Sequence, residues 1–340
     1  MAKTYRVGFA SLVHDHVWGE ISHWMKLPNV EIVGCGDVNA ELRAKFSAVT
    51  GCETTYTSWQ EMIEGEEPDI VQAASENSVA ADIVEAAAAK GAHVITEKPM
   101  SATLAQANRM VKAARDAGTQ LMVNWPTAWQ PALVTMIRSI QSGEIGKPFY
   151  FKFRSAHDGP KEIGCSEYFW KWLYDAELNG AGALMDYCCY SADMNATLFG
   201  LPESVVGIRA VLAKDYPLPD DNAIILMKYA HAFGVAEASW TQTVGYATPN
   251  PVAYGSEGSL ALHKGEVILQ RQGEEPRTLD VRPLLEGERN GPEYLLRVLE
   301  EGRHVEGMCS AEVSRNAQEI LEAGIRSADE GREIKLPLSG

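Results

Sequence analysis

The strongest constraint in this chain is an alternation. Tyr5 to Ala10, Val30 to Gly36, Asp69 to Ala74, His93 to Thr96 and Gln120 to Asn124 read as short apolar strands. Val17 to Met25, Ala40 to Thr50, Trp59 to Glu64, Val79 to Lys90 and Leu104 to Ala117 read as the helices between them. Strands that alternate with helices pair in parallel, because a parallel neighbour is reached only by a crossover. The expected result over about 124 residues is a doubly wound sheet with helices on both faces.

Open sheets of this kind bind ligands at the carboxyl ends of their strands. Asp37 falls at such an end, where a carboxylate can bond both adenosine ribose hydroxyls. It would repel the 2′-phosphate of NADP, so NAD is expected over NADP. Capping the helix that follows is an equally local use for Asp37. Glu97-Lys98-Pro99 ends the strand from His93. Proline removes an N–H and keeps the residue before it extended, so Lys98 is expected to stand clear of the next helix. A solvated turn lysine is the alternative.

The first strand runs into Ala10-Ser11-Leu12-Val13-His14-Asp15-His16, where a glycine-rich phosphate loop would be expected. It contains no glycine. Main-chain N–H groups of residues 10–14 remain candidate phosphate donors at a helix start, with Leu12 and Val13 narrowing the approach. His14 and His16 suit phosphate contact. An H-x-H pair without a third ligand makes no metal site, and no metal is expected.

The second half changes character. Pro148 to Arg154, Val205 to Leu212, Ala223 to Tyr229, Phe233 to Trp240, Leu260 to His263 and Glu266 to Gln270 follow one another as strands without intervening helices. That succession predicts an antiparallel sheet. Ser310 to Ser327 reads as a terminal helix. The division is therefore residues 1–124, a Rossmann dinucleotide-binding domain, and residues 125–340, an α/β domain for substrate binding and oligomerisation. A sheet face left uncovered by helices predicts a homo-oligomer, a dimer or tetramer.

Asp186-Tyr-Cys-Cys-Tyr190-Ser-Ala-Asp193 carries the second half's chemistry. On a helix, Asp186, Tyr190 and Asp193 lie at i, i+4 and i+7, on one face. Oxidising an alcohol requires a proton to leave oxygen as hydride leaves carbon. A phenol is a poor base at neutral pH, but a nearby Lys98 ammonium favours phenolate. Lys98 and Tyr190 are the expected proton relay, and Asp186 the residue that holds a substrate hydroxyl. The aromatic segment from His157 to Asp175, with Trp125 and Trp129, offers ring faces to a sugar's C–H surface. Core packing is the other use for these rings. His157 is the expected polar substrate contact.

These motifs resemble the Gfo/Idh/MocA family of glucose–fructose oxidoreductases and inositol dehydrogenases. Glu97-Lys98-Pro99 carries the likeness first. Asp69-Ile-Val-Gln-Ala-Ala-Ser-Glu-Asn77 is similar to the family's fourth strand and turn, which marks Ser75 and Asn77 as cofactor contacts. Ser142-Gly-Glu-Ile-Gly146, Gly180-Ala-Gly-Ala-Leu-Met-Asp186, Tyr254-Gly-Ser-Glu-Gly258 and Ala328 to Lys335 resemble later signatures. The chain departs from the pattern at Glu76, Ala80 and Ala128, where proline, histidine and arginine are usual. It also departs at Tyr190, where histidine is common and tyrosine marks the glucose–fructose oxidoreductase and dihydrodiol dehydrogenase branches. The resemblance implies a Rossmann domain, a second α/β domain with a large, mainly antiparallel sheet, NAD(P), and sugar or cyclitol substrates. It places Ala10, Ser11, Leu12, Val13, His14, Asp37, Ser75, Asn77, Glu97, Lys98 and Trp125 at the cofactor. Lys98, Trp125, His157, Asp186 and Tyr190 fall at the substrate.

A net charge of −16 argues against nucleic-acid or anionic-membrane partners. No run reaches the ~20 apolar residues of a membrane span, and Met1 to Arg6 does not lead into a signal-peptide core, so the cytoplasm is expected. Cys35, Cys52, Cys165, Cys188, Cys189 and Cys309 contain no C-x-x-C and read as buried thiols. The expected activity is NAD-dependent hydride transfer at a hydroxyl or carbonyl of a sugar, glycoside or cyclitol. Two alternatives share the fold. One is an enzyme that retains NAD and uses transient oxidation for elimination, hydrolysis or epimerisation. The other is a non-catalytic sugar or dinucleotide sensor.

Overall fold

The computed structural model describes residues 3–338. A six-stranded parallel sheet has the order β3-β2-β1-β4-β5-β6. Its strands are β1 (Tyr5–Ala10), β2 (Val30–Gly36), β3 (Thr55–Tyr56), β4 (Ile70–Ala73), β5 (His93–Glu97) and β6 (Leu121–Asn124). The connecting helices are α1 (Val17–Trp24), α2 (Ala40–Thr50), α3 (Trp59–Glu66), α4 (Ala80–Ala89) and α5 (Leu104–Ala117). Strands β4 and β6 are buried at every residue, the pattern of strands covered on both faces. Local chemistry sets the helix ends. Thr103 and Gln106 form a reciprocal capping box at the start of α5, and Gly118 closes it in the left-handed region.

A turn of 3-10 helix and α6 (Pro131–Gln141) lead into the second sheet. Its strands are β7 (Pro148–Ala156), β8 (Ser204–Ala210), β9 (Asn222–Lys228), β10 (Phe233–Ser239), β11 (Val252–Gly255), β12 (Gly258–His263), β13 (Glu266–Arg271), β14 (Arg277–Thr278) and β15 (Ile334–Lys335). The order is β14-β13-β12-β11-β7-β10-β9-β8-β15, antiparallel throughout except for β7 beside β10. The sheet is thus mixed and mostly antiparallel. The short strand β11 and the helix α6 are not apparent in the sequence pattern, and β3 is only two residues long.

Between β7 and β8 the chain forms α7 (Glu167–Leu173), α8 (Ala176–Asn179) and α9 (Ala183–Phe199). Helix α9 packs on β7, β9 and β10, so its facing side is enclosed by sheet. After β14, α10 (Gly291–Glu300) lies beside α1, and α11 (Ala311–Glu330) packs against α5, α9 and β8. The chain from α10 onward therefore returns to the helices of the first sheet and joins the two halves. All six cysteines are free, four of them buried. Among the described residues, no helix is long and apolar enough to cross a membrane.

Candidate active site

The site gathers at the carboxyl end of β5, where α9 meets the parallel sheet. Lys98 follows the last residue of the strand, and its peptide to Pro99 is cis. Its ammonium is 3% exposed and lies 2.6 Å from Asp186 Oδ1, with the Asp186 carbonyl at 3.2 Å. The same Nζ stands 4.7 Å from the centre of the Tyr190 ring and 5.7 Å from that of Tyr187. Lys98, Asp186 and Tyr190 are thus brought together although 88 residues separate the first two.

Asp186 is placed by the way α9 begins. Gly182 precedes the helix, and a Cβ there would fall 2.1 Å from the Asp220 carbonyl oxygen. The closeness allows the Asp220 carboxylate to accept the N–H groups of Gly182 and Leu184, at 3.0 and 2.7 Å. That cap is supplied from 36 to 38 residues away. Trp240 adds a second constraint, since its Nε1 donates to Asp186 Oδ2 at 3.2 Å. No local motif marks either Asp220 or Trp240. A hydrogen bond to a charged group is worth about 1.5–3 kcal/mol. Trp240→Phe is expected to lose about that much stability in urea unfolding. An unchanged midpoint would show that Lys98 alone holds the carboxylate.

The electrostatics follow from burial. Burial opposes the charge on Asp186, but the Lys98 ammonium outweighs it and holds the carboxyl below its ordinary range. Burial likewise opposes the charge on Lys98, but Asp186 prevails, with lesser help from Tyr190, and raises it well above the ordinary lysine value. For Tyr190 the balance reverses. Burial raises the phenol well above 10, and Lys98 lowers it by less. The phenolate expected from the nearby Lys98 is therefore not favoured in the resting site, because burial outweighs the ammonium's field. Tyr190 and Lys98 both hold their protons in the resting site. Asp193, one turn further along, is fully enclosed with no hydrogen-bond partner among the described residues, and burial raises its carboxyl well above the usual range.

His157 reaches the same region. Its ring meets Tyr187 edge-on at 4.7 Å, its Nδ1 accepts the Gly159 N–H at 2.8 Å, and burial lowers its pKa. Tyr187, between His157 and Lys98, is a site residue the sequence pattern does not single out. Trp125 is wholly buried, edge-on to Tyr190, with Nε1 donating to Ser314 Oγ at 3.0 Å. Trp129 Nε1 donates to Asn124 Oδ1 at 2.8 Å, and Asn124 donates to Glu97 Oε1 at 3.2 Å.

The loop after β1 has the features of a nucleotide-facing turn built without glycine. Ser11 takes a positive φ of 64°, and Leu12 and Val13 turn their side chains into the core instead of outward. Asp37 binds this loop. Its Oδ2 accepts the Leu12 N–H at 2.7 Å and the Ser11 hydroxyl at 3.2 Å, while Oδ1 accepts from Asn39. Arg43 folds back to the Asp37 carbonyl at 2.6 Å. The Ser11 N–H bonds to Gly36 and the His14 N–H to Ala74. Ala10 is buried beside them, and Ser75 donates to the Glu76 carbonyl at 3.0 Å. Asn77 bridges to Asn179 of α8, at 2.8 Å to its Oδ1. The polar groups fit a dinucleotide at two points: an accepting carboxylate at the end of β2 and a donating ammonium at the end of β5. Between them, His14 is buried against Phe169 of α7, and His16 bonds Glu97 at 2.9 Å. A carboxylate that the H-x-H pair lacks in sequence thus stands beside it in space.

A doubly wound nucleotide-binding sheet, a second mixed sheet and a buried lysine–aspartate pair at their junction define a two-domain Rossmann oxidoreductase fold. Residues 15–125 match the oxidoreductase family with NAD-binding Rossmann fold, and residues 133–261 match the GFO/IDH/MocA C-terminal domain. The chain belongs to the Gfo/Idh/MocA oxidoreductase family. It is 36% identical to a D-apiose dehydrogenase of Paraburkholderia graminis over 153 residues, 44% of this chain and 39% of that protein. A levoglucosan dehydrogenase of Pseudarthrobacter phenanthrenivorans is 27% identical over 187 residues, 55% of this chain and 47% of that protein. These two alignments thus span less than half of either relative. A 1,5-anhydro-D-fructose reductase of Ensifer adhaerens is 25% identical over 75% of this chain and 73% of its own. Among solved structures, a levoglucosan dehydrogenase in complex with NADH and levoglucosan superposes with a TM-score of 0.81 at 21% identity, covering 98% of this chain and all of that one. At that identity the likeness is one of fold.

Proposed function

We propose that the chain is an NAD-dependent oxidoreductase acting on a hydroxyl or carbonyl of a sugar, glycoside or cyclitol. The observation that carries this reading is the buried Lys98–Asp186 pair, at 2.6 Å, under the Tyr190 ring. A bound nicotinamide supplies the hydride acceptor or donor. The chain's own groups manage charge and protons. Lys98 holds the reacting oxygen and stabilises negative charge that develops on it, which a fixed ammonium in a dry site does at little reorganisation cost. Tyr190 completes the relay as proton donor in reduction and acceptor in oxidation. Asp186 fixes Lys98 and takes a hydrogen bond from a neighbouring substrate hydroxyl. His157 is placed for a second polar contact, and Trp125 supports Tyr190 from behind. The dehydrogenase relatives support a sugar-like substrate.

For the cofactor, Asp37 favours NAD. A 2′-phosphate would meet its carboxylate at the end of β2, and Arg43, folded against the Asp37 carbonyl, is the residue that could offset this. Calorimetric titration is expected to show tighter binding of NAD than of NADP. Asp37→Asn should narrow the gap by removing the like-charge repulsion. Equal or tighter NADP binding by the unaltered chain would assign Asp37 to bracing the loop. Failure of both dinucleotides to bind would show a lost cofactor site at the glycine-free loop and leave only a sugar sensor. Support for a lost site comes from the loop itself, whose Ser11, Leu12 and His14 N–H groups are already bonded within the protein.

The outer face of the second sheet supports a homo-oligomer. Ile208, Leu226 and Phe233 point away from the core and are 62%, 49% and 60% exposed on neighbouring strands. A patch of this kind is costly to leave in water. Light scattering is expected to give a multiple of 37.2 kDa, and Phe233→Glu to shift it toward the single chain. A monomeric wild type would sink the proposal.

A further inference from the structure

We propose that His14, His16 and Glu97 form a binding site for one divalent transition-metal ion of the zinc class. The three residues come from two segments. His14 and His16 lie in the turn between β1 and α1, and Glu97 ends β5. Each offers a ligand atom, and these atoms all lie within 4.8 Å of one another. Ligand atoms at ~2.0–2.1 Å around a tetrahedral zinc stand roughly 3.4 Å apart, so closure needs a movement of at most about 1.4 Å. His16 is the half-exposed member, at 36%, and its ring has room to re-orient, whereas Glu97 is 4% exposed and held in place.

The ligand types match the metal. Two imidazoles and one carboxylate make a set used for zinc and for iron(II), with positions left open for water or an anionic oxygen. The supporting contacts match as well. Glu97 offers Oε2 to His16 at 2.9 Å, while its Oε1 is held by Asn124 at 3.2 Å. Asn124 is in turn oriented by Trp129, at 2.8 Å. Ordered outer partners of this kind set ligand direction in metal centres. His14 is fixed by the Phe169 ring at 4.3 Å. A histidine–glutamate hydrogen bond alone accounts for two of the three residues. His14 is a second, enclosed imidazole at the same point; its Nδ1 accepts the His16 N–H at 3.3 Å, so its Nε2 is the nitrogen left to bind the ion. The opposing charge nearby is Lys98, and Asp186 neutralises it at 2.6 Å.

The site goes beyond the proposed redox activity, and its test uses neither nucleotide nor sugar. Tag-free full-length protein, dialysed against chelator, is titrated with Co2+ and followed by visible absorption. Zn2+ then competes the cobalt away. One equivalent per chain is expected, with ligand-field bands that Zn2+ abolishes. His16→Ala and Glu97→Gln are each expected to weaken binding by at least about 100-fold, the upper end of what outer-partner changes cause. His263→Gln, in the distant sheet, should leave binding intact. No bands from folded wild type in excess Co2+ would overturn the site, and so would bands that survive both triad substitutions. The wild-type arm decides even if a variant fails to fold.

Discussion

Lys98→Met is expected to abolish measurable turnover and to destabilise the fold at the same time. Loss of a charge fixed beside the reacting oxygen should lower kcat/KM by at least about 10³-fold, since single electrostatic donors in such sites are worth 10²–10³ and proton transfer is impaired as well. The stability loss has a separate cause. Asp186 is buried, and removing its partner strands a carboxylate in a dry site, at a cost of about 3–5 kcal/mol. The pH dependence distinguishes the two effects. In the unaltered chain Asp186 titrates below its ordinary range, so its pair stabilises the fold at every pH above about 4. That contribution is lost only as pH falls from there through the folded value. Without Lys98, burial dominates and the folded carboxyl binds its proton more tightly than the unfolded one. The variant's stability relative to the wild type should then rise as pH falls from 8 toward 5, since the other buried titratable groups are common to both chains. Lys98→Met with Asp186→Asn should recover much of the stability and none of the turnover. A double variant no more stable than Lys98→Met would show that the pair is not what holds this junction.

Tyr190→Phe is expected to lower turnover by about 10²–10⁴-fold, the range of general acid–base catalysis, with folding little changed. The ring stays packed against Trp125, and only the hydroxyl goes. Since burial raises the phenol well above 10, the wild type should hold its reducing activity across neutral and mildly alkaline pH. Oxidation, which needs a deprotonated acceptor, should rise with pH over the same range. Both trends should flatten in Tyr190→Phe. The losses from Tyr190→Phe and Lys98→Met should not add, because the two act as one unit. Near-full activity of Tyr190→Phe across pH would make Tyr190 a packing residue and leave Lys98 to act with His157.

A local period sufficed for much of this molecule. The alternation of apolar strands and helices over the first 124 residues specified the parallel sheet, and the bounds of β1, β2, α2 and α5 follow directly from it. Where period was weak the elements escaped notice. Helix α6 begins at a proline beside two tryptophans, and β11 is only four residues between turns. Glu97-Lys98-Pro99 was legible as a candidate because a charged pair and a proline end a strand, and the structure sets Lys98 against Asp186 there.

What the sequence by itself determined, then, is the two kinds of sheet and the chemical types that could meet between them: Lys98, Asp186, Tyr190 and His157. Only the tertiary structure decided how they interact. Burial depth, which no spacing encodes, lifted Tyr190 instead of leaving it to Lys98. Asp220 and Trp240 hold Asp186 from other elements. Glu97 joins His14 and His16 from 81 residues further along. Each of these outcomes depends on distances between segments that are remote in the chain. Those distances are set when the sheets pack, and the local pattern of residues carries no record of them.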